Sequence, residues 1–244
     1  MSATYGLIGY PLTHSFSPDY FAKKFAAEQI DASYTAFPLP NIKTFTKFLL
    51  SHNELRGLNV TIPYKSAIIP YLDDLSEAAT TIGAVNCIDI RNGIKKGHNT
   101  DIIGFEKSLQ PLLKSQHDRA LILGSGGASL AVAYVLSKLG IPYTVVSRQH
   151  IHESVTYASL IESTIAENKL IINTTPLGTY PSINTAPPIP YSAISKQHLL
   201  YDLVYNPEET LFLKEGKKRG AIIKNGWEML HIQAEASWEI WNSK

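Results

Sequence analysis

Ala120-Leu121-Ile122-Leu123-Gly124-Ser125-Gly126-Gly127-Ala128-Ser129 runs from four apolar residues straight into a glycine-rich turn, and Ser129 to Leu139 then carries a helical apolar pattern. An apolar strand without polar alternation suits a parallel sheet covered on both faces. The turn suits a dinucleotide: glycines let the backbone approach a pyrophosphate, and the helix start offers free N–H groups and a positive dipole end. Ser129 stands where the usual pattern has its third glycine. A turn of this kind also serves simply to join strand to helix, so its setting has to carry the reading. Gly124, Ser125, Gly126, Gly127 and Ala128 are the candidate cradle.

Working outward, Tyr143 to Ser147 is the next strand, and Arg148 follows it. That is about 20 residues past the glycines, where a ribose-reading residue belongs. An acidic residue there would bond the 2′-hydroxyl of NAD, whereas the planar cation of Arg148 suits a 2′-phosphate and favours NADP. The plainer reading is a solvated surface arginine. His150 and His152 read as loop histidines. Leu170 to Ile172, Leu199 to Val204 and Ala221 to Ile223 supply further strands. After the first of these comes Asn173-Thr174-Thr175-Pro176-Leu177-Gly178, which either lines a ligand crevice or folds as a turn bonding its own backbone. Trp227 to Trp241 has the spacing of an amphipathic helix, with Trp238 and Trp241 expected to be buried.

The first half is patterned differently. Tyr5 to Gly9, Tyr34 to Phe37, Leu58 to Ile62 and Ala84 to Ile90 read as strands, Pro18 to Gln29 and Asn41 to Ser51 as helices, and Arg91-Asn92-Gly93 as a hairpin turn. A helix over Ile102 to Leu113 bridges to the second half, and the polar run Lys114 to Asp118 is the linker. The 244 residues are ample for two domains. With 22 basic against 21 acidic side chains the net charge is +1, which argues against a large positive field for nucleic acid. A 44% hydrophobic fraction builds a core, and the single cysteine, Cys87, excludes an intrachain disulfide and a cysteine-based zinc site. No apolar run reaches the length of a membrane span. The chain reads as a cytoplasmic α/β protein.

Polar residues of the first half gather at strand ends. Ser17 before Pro18 is a good helix cap, which leaves Ser15 as a spare hydroxyl at a helix start suited to a carboxylate. Asn59 and Thr61 share one face of a strand, Lys65 follows its end, and Asn86 is a lone amide in an apolar stretch. Asp101 precedes the bridging helix and serves equally as its cap. Each residue alone has a structural explanation; together they suit a small polyol.

Ser15-Phe16-Ser17-Pro18, Asn59-Val60-Thr61-Ile62-Pro63-Tyr64-Lys65, Gly83-Ala84-Val85-Asn86, Asn99-Thr100-Asp101, Gly124-Ser125-Gly126-Gly127-Ala128, Tyr205-Asn206-Pro207 and Gln233-Ala234 occur in order. With them the chain resembles the shikimate dehydrogenase family over essentially its whole length. The resemblance implies an N-terminal mixed α/β substrate domain (residues 1–101) and a Rossmann-type parallel-sheet NADP domain (102–224, with the bridging helix 102–113). It also implies a C-terminal helix (225–244) returning to the first domain, and a site in the cleft between the two. Ser15 and Ser17 would bind the substrate carboxylate, and Asn59, Thr61, Asn86, Asp101 and Gln233 the ring hydroxyls. Tyr205 would help close the pocket, Lys65 and Asp101 would be the catalytic pair, and Asn173, Thr174 and Gly226 would join the cofactor residues. The implied reaction is reduction of 3-dehydroshikimate to shikimate in aromatic amino-acid biosynthesis, with NADP and without a metal, by a monomer or homodimer.

Two departures bear on the adenosine end of the cofactor. Between Arg148 and Leu170 there is room only for a short strand, near Ser154 to Tyr157, and one helix, so the Rossmann-type domain is shortened after its second strand. Gln149 and His150 stand where the family's arginine is commonly followed by threonine and a second basic residue. Two alternatives remain open: a quinate/shikimate dehydrogenase using NAD or both cofactors, and a non-catalytic dinucleotide or metabolite sensor on the same fold. Retention of Lys65 and Asp101 weighs against the sensor.

Overall fold

The computed structural model describes residues 3–12, 15–150 and 154–243; His14 and His152 lie outside the described residues. The chain divides into two compact units, residues 1–100 with 233–244 and residues 101–232.

The first unit contains β1 (Ala3–Gly9), α1 (Phe16–Ala27), β2 (Ala32–Pro38), α2 (Phe45–Leu50), β3 (Leu55–Val60), β4 (Asp74–Leu75), α3 (Glu77–Ile82), β5 (Cys87–Arg91) and β6 (Ile94–His98). The sheet order is β2-β1-β3-β5-β6-β4. β1 is parallel to β2 and β3, and β5 is antiparallel to β3 and β6. Successive residues face opposite sides. Leu58 and Val60 therefore join Ile8, Phe45 and Ile68 in one core, while Tyr5 and Cys87 join Phe21, Phe25 and Trp241 in the other. Gly57 leaves the space that Trp241 fills, since a Cβ there would fall 2.2 Å from the indole nitrogen. That nitrogen donates to the Ile88 carbonyl at 2.9 Å. Trp238 packs edge-on to Tyr5 at 5.4 Å. Both tryptophans sit within the first unit, Trp241 buried as its spacing predicts and Trp238 half-buried. The hairpin is also where expected: Arg91 pairs with Ile94 around Asn92 (φ 51°) and Gly93 (φ 80°), the two positive φ values that a type I′ turn requires.

Local differences have local causes. α1 begins at Phe16, so Ser15 and not Ser17 occupies the cap, and its hydroxyl makes no capping bond. Pro18 lies in the first turn, where its missing N–H costs nothing. The helix expected over Asn41 to Ser51 is instead a 3₁₀ turn, Ile42–Thr44, followed by the short α2; Asn41 Oδ1 accepts the Lys43 amide at 3.0 Å and tightens that first turn.

The second unit contains α4 (Asp101–Leu109), β7 (Ala120–Leu123), α5 (Gly127–Lys138), β8 (Tyr143–Ser147), β9 (Val155–Thr156), α6 (Glu162–Glu167), β10 (Leu170–Asn173), β11 (Leu199–Asp202), α7 (Leu211–Lys217) and β12 (Ile222–Lys224). α8 (Trp227–Asn242) starts here and ends in the first unit. The order β12-β11-β10-β7-β8-β9 is parallel throughout. Counted from β9, it is the doubly wound order 3-2-1-4-5-6 of a Rossmann sheet. Ala120, Ile122, Leu170, Ile172, Leu199 and Tyr201 pack on one face, and Leu121, Leu123, Ile171 and Leu200 on the other. Burial on both faces explains strands that read as continuous apolar runs.

The shortening falls after β8. Parallel neighbours normally need a crossover of about a dozen residues, yet residues 148–154 alone join β8 to β9. They suffice because β9 pairs only with the last two residues of β8, Val146 with Val155 and Ser147 with Thr156. So short a stretch leaves no length for a helix between the two strands. Among the described residues no helix is long and apolar enough to cross a membrane.

Candidate functional site

In the first unit, topology brings the sequence motifs to one edge of the sheet. Asn59 near the end of β3 pairs with Cys87 at the start of β5, and Cys87 with His98 at the end of β6. The segments after β3 and β6 and before β5 therefore leave the sheet side by side. The Thr61 amide donates to Ile8 O at 2.9 Å, the Val85 amide to Lys65 O at 2.7 Å, and the Asn86 amide to His98 O at 3.0 Å. Thr61 and Lys65 keep partial exposure, as does Ser15 at the start of α1.

The amides along this edge are buried and oriented. Asn86, 3% exposed, accepts the Thr100 amide on Oδ1 at 2.6 Å. Its Nδ2 donates to Thr100 Oγ1 at 3.0 Å and to Gln233 Oε1 at 3.4 Å. Asn59, expected to hold a ring hydroxyl, is engaged in the same way as Asn86. Its Oδ1 accepts the Tyr34 hydroxyl at 2.8 Å, and its Nδ2 donates to Ser237 Oγ at 2.9 Å and Asn86 O at 3.2 Å. Motif reading gave roles to the two asparagines and Gln233, quoted Thr100 within Asn99-Thr100-Asp101 without giving it one, and missed Tyr34 and Ser237. Burial pushes the Cys87 thiol up to about 12, so it is a neutral core group. A recess of about 600 Å³ at the opposite end of this sheet, bordered by Phe45, Leu55, Arg56 and Tyr71, contains none of the motif residues.

Asp101 is the first residue of α4 in the second unit and is 6% exposed. Tyr205 follows β11 with its ring tilted on Trp227 at 6.1 Å, and burial raises its phenol above the ordinary tyrosine value.

The glycine turn leaves β7 with Gly124 at φ +114°, a conformation L side chains avoid, and a Cβ there would meet Thr174 Oγ1 at 2.7 Å. Gly126 is the cap of α5, and a Cβ on it would meet nothing within 4 Å. That space opens directly before the start of α5, where the Ser129 amide bonds Gly126 O at 2.9 Å and the amides ahead of it lack the carbonyl partners of a helix interior. Ser129 is buried and donates back to Gly126 O at 2.6 Å, so the serine in place of the third glycine braces the turn. An open cradle in front of a helix start fits the pyrophosphate of a dinucleotide. Arg148 is exposed at the end of β8. Beside it, Ser147 and Ser154 hydroxyls lie 3.1 Å apart, and His150 Nδ1 donates to Ser154 O at 2.9 Å, closing the short connection.

Asn173 and Thr174 are committed to the protein. Asn173 is fully buried; its Nδ2 donates to Asp202 Oδ1 at 2.9 Å, and its Oδ1 accepts the Thr175 hydroxyl at 2.6 Å. Thr174 Oγ1 donates to Leu123 O at 2.8 Å. Of the two readings of this segment, the self-bonded turn accounts for both side chains. Asp202 also accepts the Val204 amide at 3.0 Å and the Thr210 hydroxyl at 2.5 Å, and burial pushes its carboxyl up to about 6 despite these donors. Gly226 is a close-approach glycine, because a Cβ would fall 2.1 Å from Leu203 O.

The family model of the shikimate dehydrogenase substrate binding domain matches residues 7–88. A curated relative named shikimate dehydrogenase (NADP(+)), from Methanosphaera stadtmanae, is 37% identical over 98% of this chain and 91% of its own length. Among solved structures, shikimate 5-dehydrogenase from Thermus thermophilus in complex with NADP(H) and shikimate superposes with a TM-score of 0.88. It is 29% identical, over 99% of this chain and 94% of that one. Quinate dehydrogenase from Corynebacterium glutamicum in complex with NAD gives the same TM-score of 0.88 and identity of 29%, over 100% of this chain and 94% of that one.

Proposed function

The chain belongs to the shikimate dehydrogenase family, and from that premise we propose that it catalyses the reversible, NADPH-dependent reduction of 3-dehydroshikimate to shikimate in the chorismate pathway. It works as a cytoplasmic monomer or homodimer on small molecules. The observation that carries this reading is the combination, in one chain, of a sheet edge holding hydroxyl, amide and ammonium side chains and a Rossmann sheet with an open glycine cradle.

The residues divide the work by their chemistry. Ser15 and Ser17 at the start of α1 take the substrate carboxylate, aided by the helix dipole. Thr61, Asn86 and Gln233 hold ring hydroxyls, and Asn59 holds the frame behind them. Negative charge develops on the ketone oxygen during reduction. Lys65 Nζ stabilises it and delivers the proton there, and takes the proton back in the oxidative direction. Asp101 orients the ammonium and a neighbouring hydroxyl. Tyr205 covers the ring. NADPH supplies the hydride when bound. Gly124 to Ala128 receive its pyrophosphate, Arg148 its 2′-phosphate, and Asn173, Thr174 and Gly226 shape the floor through the backbone contacts they fix.

Likeness to an NAD-bound quinate dehydrogenase supports a second reading, a broader quinate/shikimate enzyme. The two are separated by following nicotinamide reduction with shikimate or quinate crossed against NADP or NAD. Turnover confined to shikimate with NADP is expected. Comparable turnover with quinate or NAD would favour the broader enzyme, and no turnover in any mixture with folded protein would refute both.

A further inference from the structure

A chain of buried hydrogen bonds runs behind the polar edge of the first unit. The Tyr34 hydroxyl donates to Asn59 Oδ1 at 2.8 Å, and Asn59 Nδ2 to Ser237 Oγ at 2.9 Å. Ser237 Oγ in turn donates to the carbonyl of Gln233, one turn earlier on α8, at 3.0 Å. It also lies 3.3 Å from Thr100 Oγ1, the hydroxyl that accepts from Asn86. The series thus begins at the Tyr34 hydroxyl and ends at a glutamine read as a hydroxyl ligand.

Nothing in helix formation calls for Ser237. A serine in a helix interior bonding back to the carbonyl four residues earlier is neutral to unfavourable for the helix, and this one is wholly buried. Alanine would fill the position. What alanine lacks is an acceptor for Asn59 Nδ2, and a buried donor left without its acceptor is costly. The two partners are 178 positions apart in sequence, so the bond is a tertiary one that fixes α8 along and around its axis relative to β3. Trp241, bonded to Ile88 O, holds the same helix about two turns beyond Gln233. It anchors the far end of the helix within this unit and leaves the turn that carries Gln233 to be set by nearer contacts. Ser237 supplies a directional bond at that turn.

We propose that Ser237 is a positioning residue which, through Asn59 and Thr100, registers α8 against β3 and so sets where Gln233 and Asn86 present their amides to the substrate. This rests on the shikimate dehydrogenase reading. It assigns Asn59 to the same role, and it makes substrate affinity, not the hydride step, the quantity that Ser237 controls.

Ser237→Ala and Tyr34→Phe remove the acceptor and the donor on either side of Asn59. In each, KM for shikimate is expected to rise about three- to tenfold, with kcat and KM for NADP within about twofold of the parent. Ser237→Ala placed on Gln233→Ala is expected to change KM for shikimate by less than about twofold further, because the residue it positions is gone. Additive losses, an equal rise in KM for NADP, or an unchanged KM for shikimate would overturn the proposal. A ligand-free readout separates it from the reaction assignment: Ser237→Ala should shift or broaden the side-chain amide NMR signals of Asn59 and Gln233 selectively. If the parent enzyme does not oxidise shikimate, the functional reading fails, and unmoved amide signals would then overturn the positioning role while selective shifts would support it.

Discussion

Gly126→Ala separates folding from cofactor binding. Gly126 has φ −85°, an ordinary value for alanine, and the added Cβ would meet no atom within 4 Å. Alanine lowers unfolded-chain entropy, a gain of about 0.4–1 kcal/mol at a compatible site. It is a poorer cap than glycine, a loss of a few tenths to about 1 kcal/mol. These opposite effects leave stability near that of the parent. The methyl group projects into the space in front of the first-turn amides of α5, where the pyrophosphate belongs. Displacing an anion from two amide donors, each worth about 1.5 kcal/mol when the acceptor is charged, loses about 3 kcal/mol. That is about a hundredfold in affinity. Calorimetric titration with NADP should show that loss while the melting temperature moves by no more than about 2 °C. Parental NADP affinity in a well-folded Gly126→Ala protein would refute the placement of the pyrophosphate.

Lys65→Ala should lower kcat by roughly 10²–10⁴-fold with a modest change in shikimate binding, measured by steady-state kinetics and calorimetry; near-parental kcat would remove its acid–base role. Arg148→Ala should raise KM for NADP about tenfold or more and leave KM for NAD almost unchanged, and equal effects on both would mean the guanidinium does not contact the 2′-phosphate. Burial holds His117 and His198 below their ordinary value near 6.5, so the unfolded chain takes up protons first and stability should fall as pH drops below about 6.5. Asp202, raised to about 6, works the other way between about 6 and 4. A melting temperature that falls from about pH 7.5 to about 5.5, less steeply in His198→Gln, is the expected outcome, and a flat profile contradicts it.

The second unit was the more legible in sequence because its central strands, β7, β10 and β11, are buried on both faces. β7 falls where a continuous apolar run places it, β8 has the expected bounds Tyr143 to Ser147, and the lack of residues after Arg148 predicted a short third strand without its helix. The first unit was harder to read. β4 has two residues, too few for any period, and α3 has six, announced only by Ser76 as its cap and Gly83 at φ 68° beyond its end. α7 went unread although Thr210 caps it through the Leu213 amide at 3.3 Å. The start of α1 was misplaced because both Ser15 and Ser17 satisfy a cap's chemistry, and the proline that suggested the later one is accepted anywhere in a first turn.

The candidate site was legible as a set of residues but not as a set of partners. Side-chain chemistry in a motif is local, so Asn59, Thr61, Lys65 and Asn86 stand out by spacing alone. Whether an amide faces a ligand or the protein depends on residues far along the chain, such as Ser237 for Asn59 and Asp202 for Asn173. Those two asparagines carry the same physical lesson in different units. Each lies at the carboxyl end of a strand, where open α/β sheets gather ligands, and each is held by buried protein partners that leave its backbone, or its neighbours, to meet what binds there. A buried amide with every hydrogen engaged is rigid, and rigidity is what recognition of a small, many-hydroxyl ring requires, since its affinity depends on several weak bonds being satisfied at once. Loss of a supporting partner should therefore loosen substrate binding before it loosens the fold.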